Sequence, residues 1–286
     1  MQKNEGDYEI VLGAIIGDMV GSLYEFHPIK TKEFEIFDNR MRMTDDSLLT
    51  IEVAKVLMNN YPIDYSEEGL DKIKRQLTFA FHRCVLDNKA AGWGARFYDW
   101  ATKDPKPYGS YGNGSAMRIS PVAWVANSEE EVKLLSKAVT EITHNHPEGL
   151  KGAEAIAICV FMALKGHSKE EIRDRMINSY YPEILSLKFD VLVKEYEFSE
   201  ICQKSVPQAI YCFLISNSLE DTIRNCVAIG GDCDTTGAMA GAIAEAYYSK
   251  DKVSAFEDKF LYWMIDPSVE NIIKRFHRTI GSKKFK

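Results

Sequence analysis

Apolar residues recur at three- and four-residue spacing along most of the chain. That period predicts helices over residues 47–59, 71–84, 129–141, 152–164, 219–229, 235–248 and 271–277. A further apolar segment beginning near Val11 is expected to run as a helix to about Tyr24. Alternation with a period of two is scarce; residues 189–198 make the best strand candidate and read equally well as irregular chain. Two helical segments are rich in small residues. Gly13, Gly17 and Gly21 recur every fourth position, and Gly237, Ala238, Ala240, Gly241, Ala242, Ala244 and Ala246 crowd the late segment. Such spacing lets helix backbones approach closely, and core packing is the simplest reading of both stripes. Tyr181-Pro182 and Asp104-Pro105-Lys106-Pro107 are turn signals within the chain, and no low-complexity linker or charge block divides it. One compact all-α domain over residues 1–286 is the expectation.

Composition narrows the function classes. Hydrophobic residues at 45% and charged residues at 27% exclude a wholly disordered or fibrous chain. Acids outnumber bases, 42 to 35, for a net charge of -7, so nucleic-acid backbone is not an expected partner. The six cysteines form no CxxC pair, and Cys159 within the apolar run 155–164 reads as a buried thiol. Met1-Gln-Lys-Asn-Glu-Gly-Asp7 lacks the basic region and apolar core of a signal peptide. The longest apolar stretches, 11–16 and 155–164, are too short to span a bilayer. A cytoplasmic monomer with no membrane partner is expected.

Acids gather at two helix starts. Thr44-Asp45-Asp46-Ser47 precedes the run 48–53, and Asp232-Cys233-Asp234-Thr235-Thr236 follows Gly230-Gly231 and opens the late small-residue helix. Either cluster alone reads as a helix cap. A cap needs one acceptor, however, and each cluster supplies two carboxylates flanked by hydroxyls. Adjacent carboxylates repel unless a cation or proton lies between them. Hard dications want such oxygen ligands, and clusters brought together could bridge two metals about 3.5–4 Å apart. Asp18, inside an otherwise apolar helix, must be hydrogen-bonded if buried, and a bracing role for a neighbouring loop is expected. Glu25, at an element end, is the more plausible chemical residue.

Two loops carry candidate ligand contacts. In Ser110-Tyr111-Gly112-Asn113-Gly114-Ser115-Ala116-Met117-Arg118, glycines around an asparagine let backbone amides converge before a helix start, as a phosphate cradle would require. A tight turn with a cap explains it as well, and Arg118 is placed to hold a phosphate or a carboxylate. In Thr143-His144-Asn145-His146-Pro147-Glu148-Gly149, His144 is a candidate substrate contact and His146 a structural cap. Nitrogen ligands fit poorly beside an all-oxygen metal site. The aromatic stretch 93–100 reads as a pocket wall or as packing, and packing is the simpler reading.

Taken together these segments resemble the ADP-ribosylglycohydrolase family. The matching residues are Gly17-Asp18-x-x-Gly21-x-x-x-Glu25, Thr44-Asp45-Asp46-Ser47, Gly112-Asn113-Gly114-x-x-Met117-Arg118, Thr143-His144 and Gly230-Gly231-Asp232-x-Asp234-Thr235, in the family's order from residue 13 to about 248. The resemblance implies an orthogonal helical bundle around two Mg²⁺ (or Mn²⁺) ions held by Thr44, Asp45, Asp46, Asp232, Asp234 and Thr235. It implies Glu25, Asp46 and Asp232 as the catalytic carboxylates, and Ser110, Tyr111, Gly112, Asn113, Gly114 and His144 as the substrate contacts. The implied reaction is hydrolysis of an N- or O-glycosidic bond from ADP-ribose to a protein side chain or small molecule, through an oxocarbenium-like transition state. A silent ADP-ribose-binding or structural member, and a two-metal nucleotide phosphohydrolase, are the alternatives. Cys233 and Ser47 stand where threonine is common in the family, and neither removes a ligand.

Overall fold

The computed structural model describes residues 11–249 and 254–284. Its elements run α1 (Leu12–Gly21), α2 (Asp45–Asn59), α3 (Glu67–Asp87), α4 (Ala95–Thr102), α5 (Gly114–Met117), α6 (Pro121–Val125), α7 (Glu129–Thr140), α8 (Pro147–Leu164) and α9 (Lys169–Ser179). After a 3-10 turn (Pro182–Ser186) come α10 (Phe189–Glu195), α11 (Cys202–Leu214), α12 (Leu219–Ile229), α13 (Cys233–Tyr248), α14 (Ala255–Trp263) and α15 (Pro267–Lys284). No β-strand occurs among the described residues. Local chemistry starts many of these helices. Ser66, Ser128, Ser168, Ser218 and Ser254 each accept the amide three residues on, and Glu171 and Glu257 complete capping boxes.

At the centre α1 lies against α13, and α8, α11 and α12 pack around α13. Every residue of α1 is buried, as is α13 from Cys233 to Ala246. Glycine makes the α1–α13 approach possible. A Cβ on Gly17 would fall 2.0 Å from the Gly237 carbonyl oxygen, one on Gly13 2.3 Å from that of Gly241, and one on Gly21 2.3 Å from Asp234 Cα. Outside this layer α7 covers α8, α3 packs on α2 and α7, and α15 lies on α2.

All seven helices expected from periodicity are present, α3, α8 and α15 extending well beyond their expected ends. Two expectations are corrected. The first helix ends at Gly21 rather than near Tyr24, because the Tyr24 and Glu25 amides both turn back to the Gly21 carbonyl at 2.8 and 3.1 Å. Residues 189–195 form a helix, not a strand: Phe189, Leu192 and Val193 share one face at helical spacing, and α10 packs on α12. Short apolar runs fit either period, and the neighbour they meet decides. The aromatic stretch is α4, whose Phe97 and Trp100 are buried against Phe81. All six cysteines are free and buried. Among the described residues no helix is long and apolar enough to cross a membrane. Residues 1–7, read above for a leader, lie outside the described residues.

Candidate metal centre

Close packing of α1 on α13 sets Asp18 beside the first acidic cluster and the end of α1 beside the second. Asp18 takes Thr44 and Ser47, at the start of α2, onto its carboxylate. Its Oδ1 accepts from the Thr44 hydroxyl at 2.7 Å, and its Oδ2 from the Thr44 amide at 2.9 Å, the Ser47 amide at 3.1 Å and the Ser47 hydroxyl. The two amides among those donors are otherwise orphaned groups of a helix N-terminus. Asp18 thus braces the loop-to-helix junction, as its buried position required.

The two acidic clusters, 189 residues apart between Asp46 and Thr235, meet directly: the Thr235 hydroxyl donates to Asp46 Oδ2 at 3.3 Å. The Thr44 hydroxyl lies 3.2 Å from the same oxygen. Carboxylate oxygens of Asp18, Asp46 and Asp234 fall within 4.8 Å of one another, as do those of Glu25, Asp232 and Asp234. Asp45 lines the same cavity. Burial pushes the carboxyls of Asp45, Asp46 and Asp234 well above their usual range, and neighbouring carboxylates push them further. By the same causes Glu25 is pushed up to about 8 and Asp232 to about 6, the latter restrained by hydrogen bonds.

Repulsion of this kind is relieved by protons or by cations. The donor set favours cations. It is all oxygen, combining carboxylates with two hydroxyls, which is the chemistry of hard cations rather than of softer metals. Buried Asp46 Oδ1 has no hydrogen-bond partner, an acceptor left bare where a cation would satisfy it. Cys233 does not intrude, because its thiol donates to the Gly21 carbonyl at 3.4 Å.

These carboxylates line one cavity of about 380 Å³ together with Thr44, Thr235, Ser110, Gly112, Asn113, Gly114 and His144. Two contacts fix the glycine loop. The Asn113 amide nitrogen donates to the Glu200 carbonyl at 2.8 Å, and Asn113 Nδ2 donates to Asp232 Oδ2 at 2.6 Å. Gly112 makes an isolated antiparallel bridge with Ile201. Tyr111 does not line the cavity; its exposed ring lies against His146, 5.1 Å between centroids. His146 caps α8, accepting the Glu148 amide at 3.1 Å. Arg118 lines the cavity and is held by protein partners. Its guanidinium sits 4.9 Å from the centre of the Phe81 ring and donates to the Thr143 hydroxyl at 2.7 Å.

Further residues complete the lining. Arg96 stacks on Tyr108 at 4.8 Å on one wall, and the exposed rings of Phe26 and Phe198 stack at 6.2 Å beside Glu25 and Glu200. Phe26, Tyr108 and Phe198 lie in loops and carry no spacing signal, although Phe26 adjoins the singled-out Glu25, whereas Arg96 lies in α4 within the aromatic stretch.

Comparison with known proteins bears on this cavity. The family model described as ADP-ribosylglycohydrolase matches residues 8–264. The ADP-ribosylhydrolase ARH3 of Bos taurus is 31% identical, over 84% of this chain and 84% of that protein. The ADP-ribosylarginine hydrolase Tri1 of Pseudomonas putida is 24% identical, over 83% of this chain and 69% of that protein. A solved structure titled ADP-ribosylglycohydrolase-related protein complex superposes with a TM-score of 0.68 at 19% identity, covering 94% of this chain and 95% of that one, a likeness of fold.

Proposed function

This chain belongs to the ADP-ribosylglycohydrolase family, and we propose that the cavity described above is where it hydrolyses the glycosidic bond joining ADP-ribose to an acceptor. The acceptor is a modified protein side chain or a small molecule; one relative is named for arginine as its acceptor. One observation carries the placement: four aspartates and Glu25, drawn from three separate parts of the chain, converge in the cavity that the glycine loop and His144 also line.

Thr44, Asp45, Asp46, Asp232, Asp234 and Thr235 are the residues that would hold two Mg²⁺ or Mn²⁺ ions. Bound there, the ions would supply positive charge to orient ribose hydroxyls and acidify a water. Glu25, with its carboxyl raised to about 8, keeps a proton at neutral pH in the metal-free chain and suits the role of acid toward the leaving group. Asp46 and Asp232 are placed to orient the attacking water, Asp232 being held in position by Asn113. Loop residues 110–114 and His144 would hold the ADP-ribose part. Tyr111 could serve there only from the rim, since its ring is exposed. In this reading residues 1–286 act as one domain and as a monomer in a reducing cytoplasm, which accords with six free, buried thiols.

The test is a hydrolysis panel over arginine-, serine- and acetyl-linked ADP-ribose. Release of ADP-ribose is expected, abolished by EDTA and restored by Mg²⁺ or Mn²⁺. Full activity in an Asp232→Asn, Asp234→Asn double variant would overturn the site. ADP-ribose binding without turnover anywhere on the panel would instead make the chain a silent binder. Release of phosphate from ADP-ribose would make it a phosphohydrolase.

A further inference from the structure

Three buried side chains in the cavity wall are joined in series. The Arg118 guanidinium donates to Thr143 Oγ1 at 2.7 Å, and the same oxygen lies 2.6 Å from His144 Nδ1. Arginine can only donate, so Thr143 Oγ1 is an acceptor toward it and the hydroxyl proton must point elsewhere. One outlet is the Thr140 carbonyl, 3.4 Å away. That oxygen already accepts the amides of Thr143 at 3.2 Å and His144 at 2.9 Å, which occupy both of its lone pairs. The other outlet is His144 Nδ1, at a full-strength distance. The hydroxyl therefore donates to Nδ1, and a neutral imidazole whose Nδ1 accepts must carry its proton on Nε2.

Nε2 faces the glycine loop. A Cβ built on Gly112 or Gly114 would lie only 3.6 or 3.5 Å from it, so glycine at both positions leaves the ring edge open to the cavity. We infer that Arg118 and Thr143 are positioning residues that fix His144 as a permanent Nε2–H donor, and that this donor recognises an acceptor oxygen, ribose hydroxyl or phosphate, of the ADP-ribose moiety. The inference rests on the proposed use of this cavity for ADP-ribose. Burial and the cations of Arg118 and Arg96 hold the imidazole well below its usual range, so it remains neutral with this single outward proton. Arg118, lowered by burial to about 10, stays charged at neutral pH and keeps the relay pointing one way. A histidine so arranged has no lone pair facing the cavity and cannot act there as a base.

The deciding measurement is histidine-detected ¹⁵N NMR on the full chain, with His144 assigned by its loss in His144→Gln. Wild type and Thr143→Ser should show a protonated Nε2 and a bare Nδ1, and Thr143→Val a mixture of tautomers. Calorimetry with ADP-ribose in Mg²⁺ should find affinity about tenfold weaker in Thr143→Val, the worth of one aligned hydrogen bond, and near wild type in Thr143→Ser. In turnover the Val variant should raise KM and leave kcat nearly intact. Repeating the titration with ADP, which lacks the terminal ribose, locates the oxygen: a penalty that persists points to phosphate, and one that vanishes points to ribose. A protonated Nδ1 in the wild-type protein overturns the inference, as does a Thr143→Val variant that keeps both tautomer and affinity. Should Thr143→Val fail to fold, the wild-type tautomer still decides. Because the tautomer is read without turnover, a chain that bound ADP-ribose but did not hydrolyse it would defeat the proposed reaction and leave this inference standing.

Discussion

Replacing Asp18 by alanine removes the common acceptor of two amides and two hydroxyls at the start of α2. Buried amides without partners are costly, so Asp18→Ala should lose about 3 kcal/mol in urea unfolding, with weakened Mg²⁺ binding as Thr44 and Asp46 shift. Glu25 is a different case, since it holds no helix in place. Glu25→Gln should lower kcat at least about a hundredfold while the Mg²⁺-induced rise in Tm persists; an unchanged kcat would remove Glu25 from the proton transfer. Both residues stood out in the sequence, Asp18 as a lone acid among apolar neighbours and Glu25 as an acid at an element end. Which residues each would meet did not. The bond from Asn113 to Asp232 spans 119 residues, and no local spacing encodes a contact of that range.

Glycine sets the distance between the two central helices. Gly17→Ala would place a methyl 2.0 Å from the Gly237 carbonyl oxygen, and since backbone faces backbone, no flexible side chain can yield. The helices must separate, at about 3 kcal/mol or more, and the acidic clusters must part with them. Unfolding and metal titration of Gly17→Ala should both show the loss, whereas intact metal affinity would mean that the clusters are held by something other than this seam. At a peripheral helix the outcome differs. Ser168→Ala removes one capping box from α9 and should cost about 1 kcal/mol with hydrolysis unaltered. The helix α12 was legible to the residue, because eleven positions sample the 3.6 period repeatedly. The seven residues of α10 do not, and contact with α12 settled their conformation.

For the whole molecule the crowded carboxylates couple folding to pH and metal. Glu25 at about 8 and Asp232 at about 6, with Asp45, Asp46 and Asp234 also raised, bind protons in the metal-free fold that the unfolded chain releases near its ordinary carboxylate values. Their contribution to stability is therefore complete at low pH and is lost as pH climbs from about 5 to about 8. Thermal unfolding in EDTA should show Tm falling across that window. Mg²⁺ should raise Tm more at about pH 8 than at about pH 5.5, because it binds the ionised form; an equal gain at both would mean that the ion does not bind these carboxylates. The chain by itself determined seven of the helical segments and which oxygens are available, since periodicity, hydroxyl caps and the choice of acid are written in neighbouring residues. It also determined that two helices carried glycine on one edge. Only the tertiary structure decided that α1 and α13 spend those glycines on each other, so that Asp46 meets Thr235 and mutually repelling acids share one cavity. The direction of the His144 proton was settled there too, because it depends on which groups Arg118 and the Thr140 carbonyl already engage.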